Sequence, residues 1–234
     1  MRSEDGGSQA SALRRKLGLD GTSGFDDLSG GAAQASATKQ TRAASRKSTG
    51  RTQVEAAIEK AAAKHGVDPL LMKTFAQIES SMKPSQRTGS YKGLFQLSDS
   101  EFKKYGGGNI YNANDNANAA AAKFKAEINQ FKSKYGRTPD ATDLYMIHQQ
   151  GQAGYAAHMK NPDRLAWKNV RPYYKSDQVA KKAIWGNVPS TVKGTQQPFH
   201  KGMFGSVEKM TSRDFVEGWR RRINQIQQSF TPRG

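Results

Sequence analysis

The chain has 234 residues and carries 37 Lys and Arg against 20 Asp and Glu, a formal net charge of +17. Its length predicts one good-sized domain with a tail, or two small domains. The absence of cysteine excludes disulfides, cysteine nucleophiles and thiolate metal sites. Its four histidines lack zinc-motif spacing, so we expect neither a metal nor another cofactor. The charge predicts a polyanionic partner: nucleic acid, an anionic membrane face or an anionic cell-wall polymer.

Residues 1–50 are predicted to form a disordered, basic tail rich in Ser, Gly and Ala. Their few large apolar side chains cannot offset the entropy cost of ordering the backbone. A docking or export role and a passive solvated tail are both open for this segment. It has no apolar stretch of the kind found in secretory signal peptides, so we expect synthesis in the cytosol. No run of about eighteen apolar residues predicts a membrane span.

Helix signals follow from Thr52 onward. Thr52 and Glu55 fit a capping box that opens a first helix, and Gly66 is a typical helix end. Asp68-Pro69 combines an N-cap with proline at the first helical position, which predicts a second helix through about Ser80.

Residues 85–98 are predicted to form a loop or a short hairpin, and Ser98 then opens a short helix. Asp115 is predicted to cap an alanine-rich helix that runs to about Lys134.

Thr138-Pro139 repeats the pattern of cap then proline and predicts a helix that ends at Gly151. A final helix over about residues 212–228 presents one apolar face. These elements predict a mainly α fold in which residues 51–234 form a single helical domain.

Glu79 is the candidate for chemistry. Cleavage of a β-glycosidic bond needs a proton donor for the leaving oxygen and a group that stabilises the oxocarbenium-like centre. Three- and four-residue steps place Glu79 near Met72, Phe75 and Ala76, at the border of an apolar helix face. Such surroundings raise the pKa of a carboxyl, so that it holds a proton near neutral pH. Taken alone, a Glu near a helix end is usually an exposed surface residue.

The pattern around Glu79 resembles the soluble lytic transglycosylase (SLT) domain, a relative of goose-type lysozyme. The resemblance rests on Asp68-Pro-Leu-Leu, on Phe75-Ala-Gln-Ile-Glu79-Ser80 and on Gly93-Leu-Phe-Gln96. Two weaker elements start at Asp115 and at Ile147, and the resemblance covers residues 52–160. It implies a mainly α, lysozyme-like single helical domain with a substrate cleft, to which residues 161–234 add a helical extension.

The resemblance also implies roles for individual residues. Glu79 becomes the sole catalytic acid/base. His148 takes the position of a tyrosine that contacts this carboxylate in the family, and a histidine can donate a hydrogen bond there. The candidate substrate-binding residues are Ser80, Gln96, Tyr111, Asn118, His148, Gln149 and Tyr155. Each of five of these residues has an alternative to substrate binding. Gln96 could stabilise the turn, and His148 could be a hydrogen-bonded core histidine. Packing or rim positions are the alternative for Tyr111, Gln149 and Tyr155.

Two mechanisms are open at this stage. Lytic transglycosylases let the N-acetyl group of the substrate assist, so that Glu79 takes a proton from the muramyl 6-hydroxyl and a 1,6-anhydro product forms. The alternative is a hydrolytic goose-type lysozyme, for which Asp99 is the candidate second carboxylate. Asp115 and Asp143 have the positions of helix caps or first-turn acids.

The expected partner is the glycan strand of peptidoglycan, with anionic outer-membrane or virion components as further partners of the basic tail. We expect a monomer and no specific nucleic acid. A phage endolysin, a virion-associated lysin or a substrate of a specialised secretion system would each suit a wall-cutting enzyme without a signal peptide. The non-enzyme alternative is a basic nucleic-acid-binding or virion structural protein, although neither a recognition helix nor an aromatic platform is evident.

Overall fold

The computed structural model describes residues 37–190 and 198–231, with side chains from residue 50 onward. These residues are mainly helical, which confirms the predicted fold class. The α-helices of this part of the chain are α1 (Ala37–His65), α2 (Pro69–Ser80), α3 (Asp99–Tyr105), α4 (Ala113–Tyr135), α5 (Ala141–Lys160), α6 (Ala166–Val170), α7 (Asp177–Trp185) and α8 (Ser212–Gln228). None of the helices in these described ranges is long and apolar enough to cross a membrane.

The described residues fall into two compact units. Residues 37–125 belong to the first, here called the N-terminal unit, and residues 126–190 and 198–231 belong to the second, the C-terminal unit. Helix α4 contributes residues to both. The division into a tail over residues 1–50 and one domain over residues 51–234 remains a prediction.

Helix α1 begins at Ala37, upstream of the helix start predicted at Thr52. The segment from Ala37 to Arg51 has no proline and one glycine, and it contains several good helix formers. A helix that has nucleated extends through such residues at little cost. Arg51 Nε donates to Glu55 Oε1 at 2.9 Å, so Glu55 forms a pair within the helix instead of closing a capping box at Thr52. Residues 1–36 lie outside the described residues.

Helix α2 has the predicted bounds. Asp68 Oδ1 accepts a hydrogen bond from Leu70 N at 2.8 Å, and Pro69 is the first helical residue. The apolar face of α2 is buried, and Phe75 packs edge-on against Phe124 of α4 with ring centroids 4.7 Å apart. The contact anchors α2 on α4 inside the N-terminal unit.

A short hairpin follows α2, as predicted. Strand β1 (Arg87–Thr88) pairs with β2 (Tyr91–Lys92) in antiparallel register, with Thr88 opposite Tyr91. The predicted capping box of α3 is present between Ser98 and Glu101.

The start of α4 differs from the prediction. Asn112 Oδ1 accepts from Asn114 N at 2.9 Å and from Asp115 N at 3.3 Å, so Asn112 caps the helix three residues before Asp115. Asp115 lies in the first turn, and its carboxylate accepts from Asn109 N at 2.9 Å. The predicted capping role of Asp115 is therefore wrong, and its alternative as a first-turn acid is confirmed.

Helix α5 organises the C-terminal unit. Its N-cap is Asp140, in a capping box with Asp143, and not the predicted Thr138. At Gly151 the backbone leaves the helical region (φ 69°, ψ 168°), but the helix resumes and continues to Lys160. The predicted end of the helix is thus a break. Helix α8 has the predicted bounds, and its Phe215 and Trp219 pack around the fully buried Phe199.

Candidate active site

Glu79 lies in the last turn of α2 and is 9 % exposed, with its Oε1 atom buried. The chain reverses directly after it, because Ser81 and Met82 both adopt left-handed backbone angles, with φ of 52° and 63°. Ser81 N donates to Gln77 O at 3.1 Å and Met82 N donates to Ala76 O at 3.2 Å, so the last carbonyls of the helix are satisfied. These hydrogen bonds fix the last turn of α2, which carries the Glu79 carboxylate.

Ser80 is buried beside Glu79, and its hydroxyl is used inside the helix end. Ser80 Oγ donates to Ala76 O at 3.0 Å and accepts from Lys83 N at 3.2 Å. These two bonds join α2 to the loop of residues 81–85. They give Ser80 a structural role, while its contact with substrate remains a prediction.

Gln96 closes the turn of residues 93–96. It is 2 % exposed, and its Nε2 donates to Gly93 O at 2.8 Å and to Gln86 O at 3.0 Å. The amide nitrogen therefore has the turn-stabilising role that was one of the two open alternatives. Gln96 Oε1 is buried and has no hydrogen-bond partner within the described residues, and substrate binding by this amide remains a prediction.

Asn116 supports the turn of residues 93–96, and the sequence did not single it out. It is fully buried in the first turns of α4, where Oδ1 accepts from Phe95 N at 2.8 Å and Nδ2 donates to Ile110 O at 2.9 Å. One side chain thereby fixes the turn of residues 93–96 to the loop that precedes α4. A signal was present, because Asn is a poor helix former and its place in an alanine-rich helix suggests a polar contact.

Gly93 fits this arrangement because it lacks a side chain. Its φ is 79°, which favours glycine. A Cβ atom at this position would lie 2.2 Å from Asn116 Nδ2 and 2.3 Å from Ile110 O. The glycine that begins the turn is thus required by both its backbone angles and its neighbours.

Asn118, the predicted substrate ligand on the same helix, faces the end of α1. Its Oδ1 accepts from Lys64 Nζ at 2.8 Å and lies 2.9 Å from His65 Nε2. It also lines a pocket of about 270 Å³ together with Lys64 and Asp115. Tyr111 is 38 % exposed, so its ring is accessible to a ligand. Substrate contacts of both residues remain predictions.

Asp99, the candidate second carboxylate, is the first residue of α3, and its side chain is 72 % exposed. Both of its carboxylate oxygens lie 2.8 Å from Lys92 Nζ. Such an exposed ion pair is unlike the buried surroundings of Glu79.

His148 and Gln149 lie on α5, in the C-terminal unit. His148 is half-buried, and its ring centroid is 6.3 Å from that of Tyr145. Gln149 is buried, and its Oε1 accepts from Gln150 Nε2 at 3.2 Å. The contact of His148 with Glu79 remains a prediction.

Tyr155 belongs to a buried polar cluster. It is 2 % exposed, its OH donates to Asp143 Oδ1 at 2.7 Å, and Arg137 Nη2 donates to its OH at 3.2 Å. Burial and the neighbouring Asp143 raise the pKa of Tyr155. Burial alone would raise the pKa of Asp143, but hydrogen bonds from Arg137 and Tyr155 hold it below its usual value. Tyr155 is thus packed among polar partners, and its contact with a sugar remains a prediction.

Residues 56–148 match the family model described as "Transglycosylase SLT domain". The match runs from α1 to His148 and includes Glu79, the turn of residues 93–96 and Asn116, so it confirms the resemblance stated from the motifs. It indicates a glycosidase- or transglycosylase-type enzyme that acts on peptidoglycan, with activity of the lytic-transglycosylase kind. No curated protein matches the chain significantly.

Proposed function

We propose that the protein cleaves the β-1,4 bond between N-acetylmuramic acid and N-acetylglucosamine in peptidoglycan, with Glu79 as its single acid/base and a 1,6-anhydro product. The observation that carries the proposal is the buried carboxylate at the end of α2, inside the segment that matches the SLT domain. A carboxyl in such surroundings is suited to hold and return a proton.

In the proposed reaction, Glu79 first donates its proton to the glycosidic oxygen while the bond from this oxygen to C1 of the muramyl residue breaks. The N-acetyl group of the same residue assists from the other face of the ring. Glu79 then takes the proton of the 6-hydroxyl group while the oxygen of that hydroxyl bonds to C1. No water is consumed, and one carboxylate serves both steps. The exposed ion pair of Asp99 with Lys92 supports a mechanism without a second carboxylate.

Mass spectrometry of the products from purified peptidoglycan tests the mechanism. We expect anhydro-muramyl ends from the wild type and a loss of about 10²–10⁴-fold in rate for Glu79→Gln, which keeps the size of the side chain but cannot exchange a proton in this way. Glu59→Gln is the control, since Glu59 is an exposed acid in the same unit. Reducing ends would instead support the hydrolytic alternative with Asp99. Equal rates for the wild type and Glu79→Gln would contradict the role of Glu79.

We further propose that the protein serves phage lysis, as an endolysin or a virion-associated lysin. The formal charge of +17, which suits anionic cell envelopes, and His148 in place of the family tyrosine support this setting. Expression in bacterial cytoplasm with and without a membrane-permeabilising holin tests it. Lysis is expected only with the holin, whereas lysis without it would favour export by another route.

A further inference from the structure

The N-terminal unit has a groove of about 1250 Å³ that no step of the proposed reaction uses. One wall is α1 between Gly50 and Lys60, and the other is the loop of residues 81–85. Residues 112–114, at the start of α4, also line it. Lys60 and Asn114 line both this groove and the pocket of about 270 Å³ beside Asn118, so the two cavities are adjacent.

The groove begins close to the candidate catalytic residue. Its wall includes Ser81, which is two residues after Glu79 in the chain. Because consecutive Cα atoms are about 3.8 Å apart, the two Cα atoms are separated by at most about 8 Å. When the scissile bond of a substrate lies at Glu79, groups attached to its sugars can therefore reach the groove.

The lining combines an apolar floor with a cationic rim. Val54, Ala57 and Met82 are buried beneath it, and exposed basic side chains surround it. The charged residues that line the two cavities are Arg51, Lys60, Lys64, Lys83 and Asp115, which are four cations and one carboxylate.

Two of these cations are available to a ligand. Lys60 and Lys83 are exposed and make no ion pair with any residue of the described ranges. The carboxylate of Asp115 already accepts a hydrogen bond from Asn109 N at 2.9 Å. The balance of charge along the groove thus favours an anionic occupant.

We propose that this groove binds the stem peptide attached to the muramyl residue next to the bond that is cleaved. The inference rests on the proposed function. A peptidoglycan stem peptide is short and carries both free carboxylates and the methyl groups of alanine residues. The carboxylates suit Lys60 and Lys83, and the methyl groups suit the apolar floor. A glycan strand stripped by an amidase keeps only the lactyl carboxylate of each muramyl residue, which lies at the sugar. It lacks the further carboxylates and methyl groups of the peptide, which would extend into the groove.

The test compares two substrates and two variants. The substrates are peptidoglycan with intact stem peptides and the same glycan strands after an amidase has removed the peptides. The variant is Lys60→Glu combined with Lys83→Glu, and its control is Lys103→Glu, an exposed lysine on α3 of the same unit. We expect the double variant to lose about tenfold or more in kcat/KM on the intact substrate and to match the wild type on stripped strands. The control should match the wild type on both.

The outcomes separate this inference from the function on which it rests. A wild type that cleaves neither substrate would overturn the proposed function. A double variant that equals the wild type on both substrates would overturn the groove inference alone, and so would an equal loss on both. Inhibition of the wild type by free stem peptide would support the inference, whereas inhibition by polyphosphate but not by the peptide would assign the groove to an anionic polymer instead. Thermal unfolding of each variant establishes that it is folded.

Discussion

His158 makes the C-terminal unit sensitive to acid. The residue lies on α5 and is fully buried, with its ring centroid 5.5 Å from that of Phe215 on α8. Its Nδ1 atom is 2.6 Å from Ser212 Oγ, which also accepts from Asn169 Nδ2 at 2.7 Å. His158 Nε2 is buried and has no hydrogen-bond partner among the described residues, so a protonated ring would bury an N–H group without an acceptor.

Burial lowers the pKa of His158 from 6.5 to about 4. The unfolded chain therefore binds a proton at this residue below about pH 6.5, while the folded chain does so only near pH 4. The contribution to stability is present above pH 6.5 and is lost as the pH falls toward 4. One pKa unit corresponds to about 1.4 kcal/mol, so the loss between pH 7 and pH 4 is about 3 kcal/mol.

Urea unfolding at a series of pH values measures this loss. The three tryptophans, Trp167, Trp185 and Trp219, all lie in the C-terminal unit, so their fluorescence reports the unfolding of that unit. The variant His158→Gln cannot gain this charge, and we expect its free energy of unfolding to fall by about 3 kcal/mol less than that of the wild type between pH 7 and pH 4.

The comparison with the variant removes the contributions of all other groups, since both proteins share them. Parallel curves for the wild type and His158→Gln would refute the reasoning, because His158 would then titrate alike in the folded and unfolded chains.

Three further substitutions test the site and its support. Asn116→Ala should cost about 2–4 kcal/mol of stability and most of the activity, because it leaves buried backbone groups without partners. Asn129→Ala, at an exposed position of α4, should change neither. Urea unfolding measures the stability, and the rate of product formation measures the activity. Gly93→Ala should lower the thermal midpoint by several degrees, since the new Cβ would meet Asn116, and an unchanged midpoint would contradict the geometry. Asp143→Asn should cost about 1–3 kcal/mol at pH 7, because it weakens the hydrogen bonds that Arg137 and Tyr155 donate to a buried carboxylate. The cost should shrink as the pH falls through the lowered pKa of Asp143, and a loss that is independent of pH would argue against a charged carboxylate there.

The sequence was sufficient for features that depend on a few neighbouring residues. Asp68-Pro69 opens α2, and Ser98 with Glu101 opens α3, because a cap needs only its own side chain and the first backbone N–H groups of the helix. The position of Glu79 at the edge of a buried helix face followed from helical spacing in the same way.

The features that the sequence did not predict depend on distant contacts or on competing local signals. Asn116 accepts a hydrogen bond from Phe95, about twenty positions away, and a poor helix former inside a helix does not reveal which distant group it contacts. At Gly151 the glycine breaks the helix, but the following residues are packed in the C-terminal unit and the helix resumes. The start of α1 was obscured because polar helix formers resemble a solvated tail in composition.

The reversed backbone after Glu79 bears on how this protein could be engineered. Ser81 and Met82 have φ of 52° and 63°, angles that cost an ordinary residue about 1 kcal/mol or more each and that suit glycine. A selection for heat resistance is therefore expected to find glycine or asparagine at Ser81, which is exposed. Met82 is buried beneath the groove, and a glycine there would leave a cavity. Directed evolution for stability is therefore expected to change Ser81 and to retain Met82.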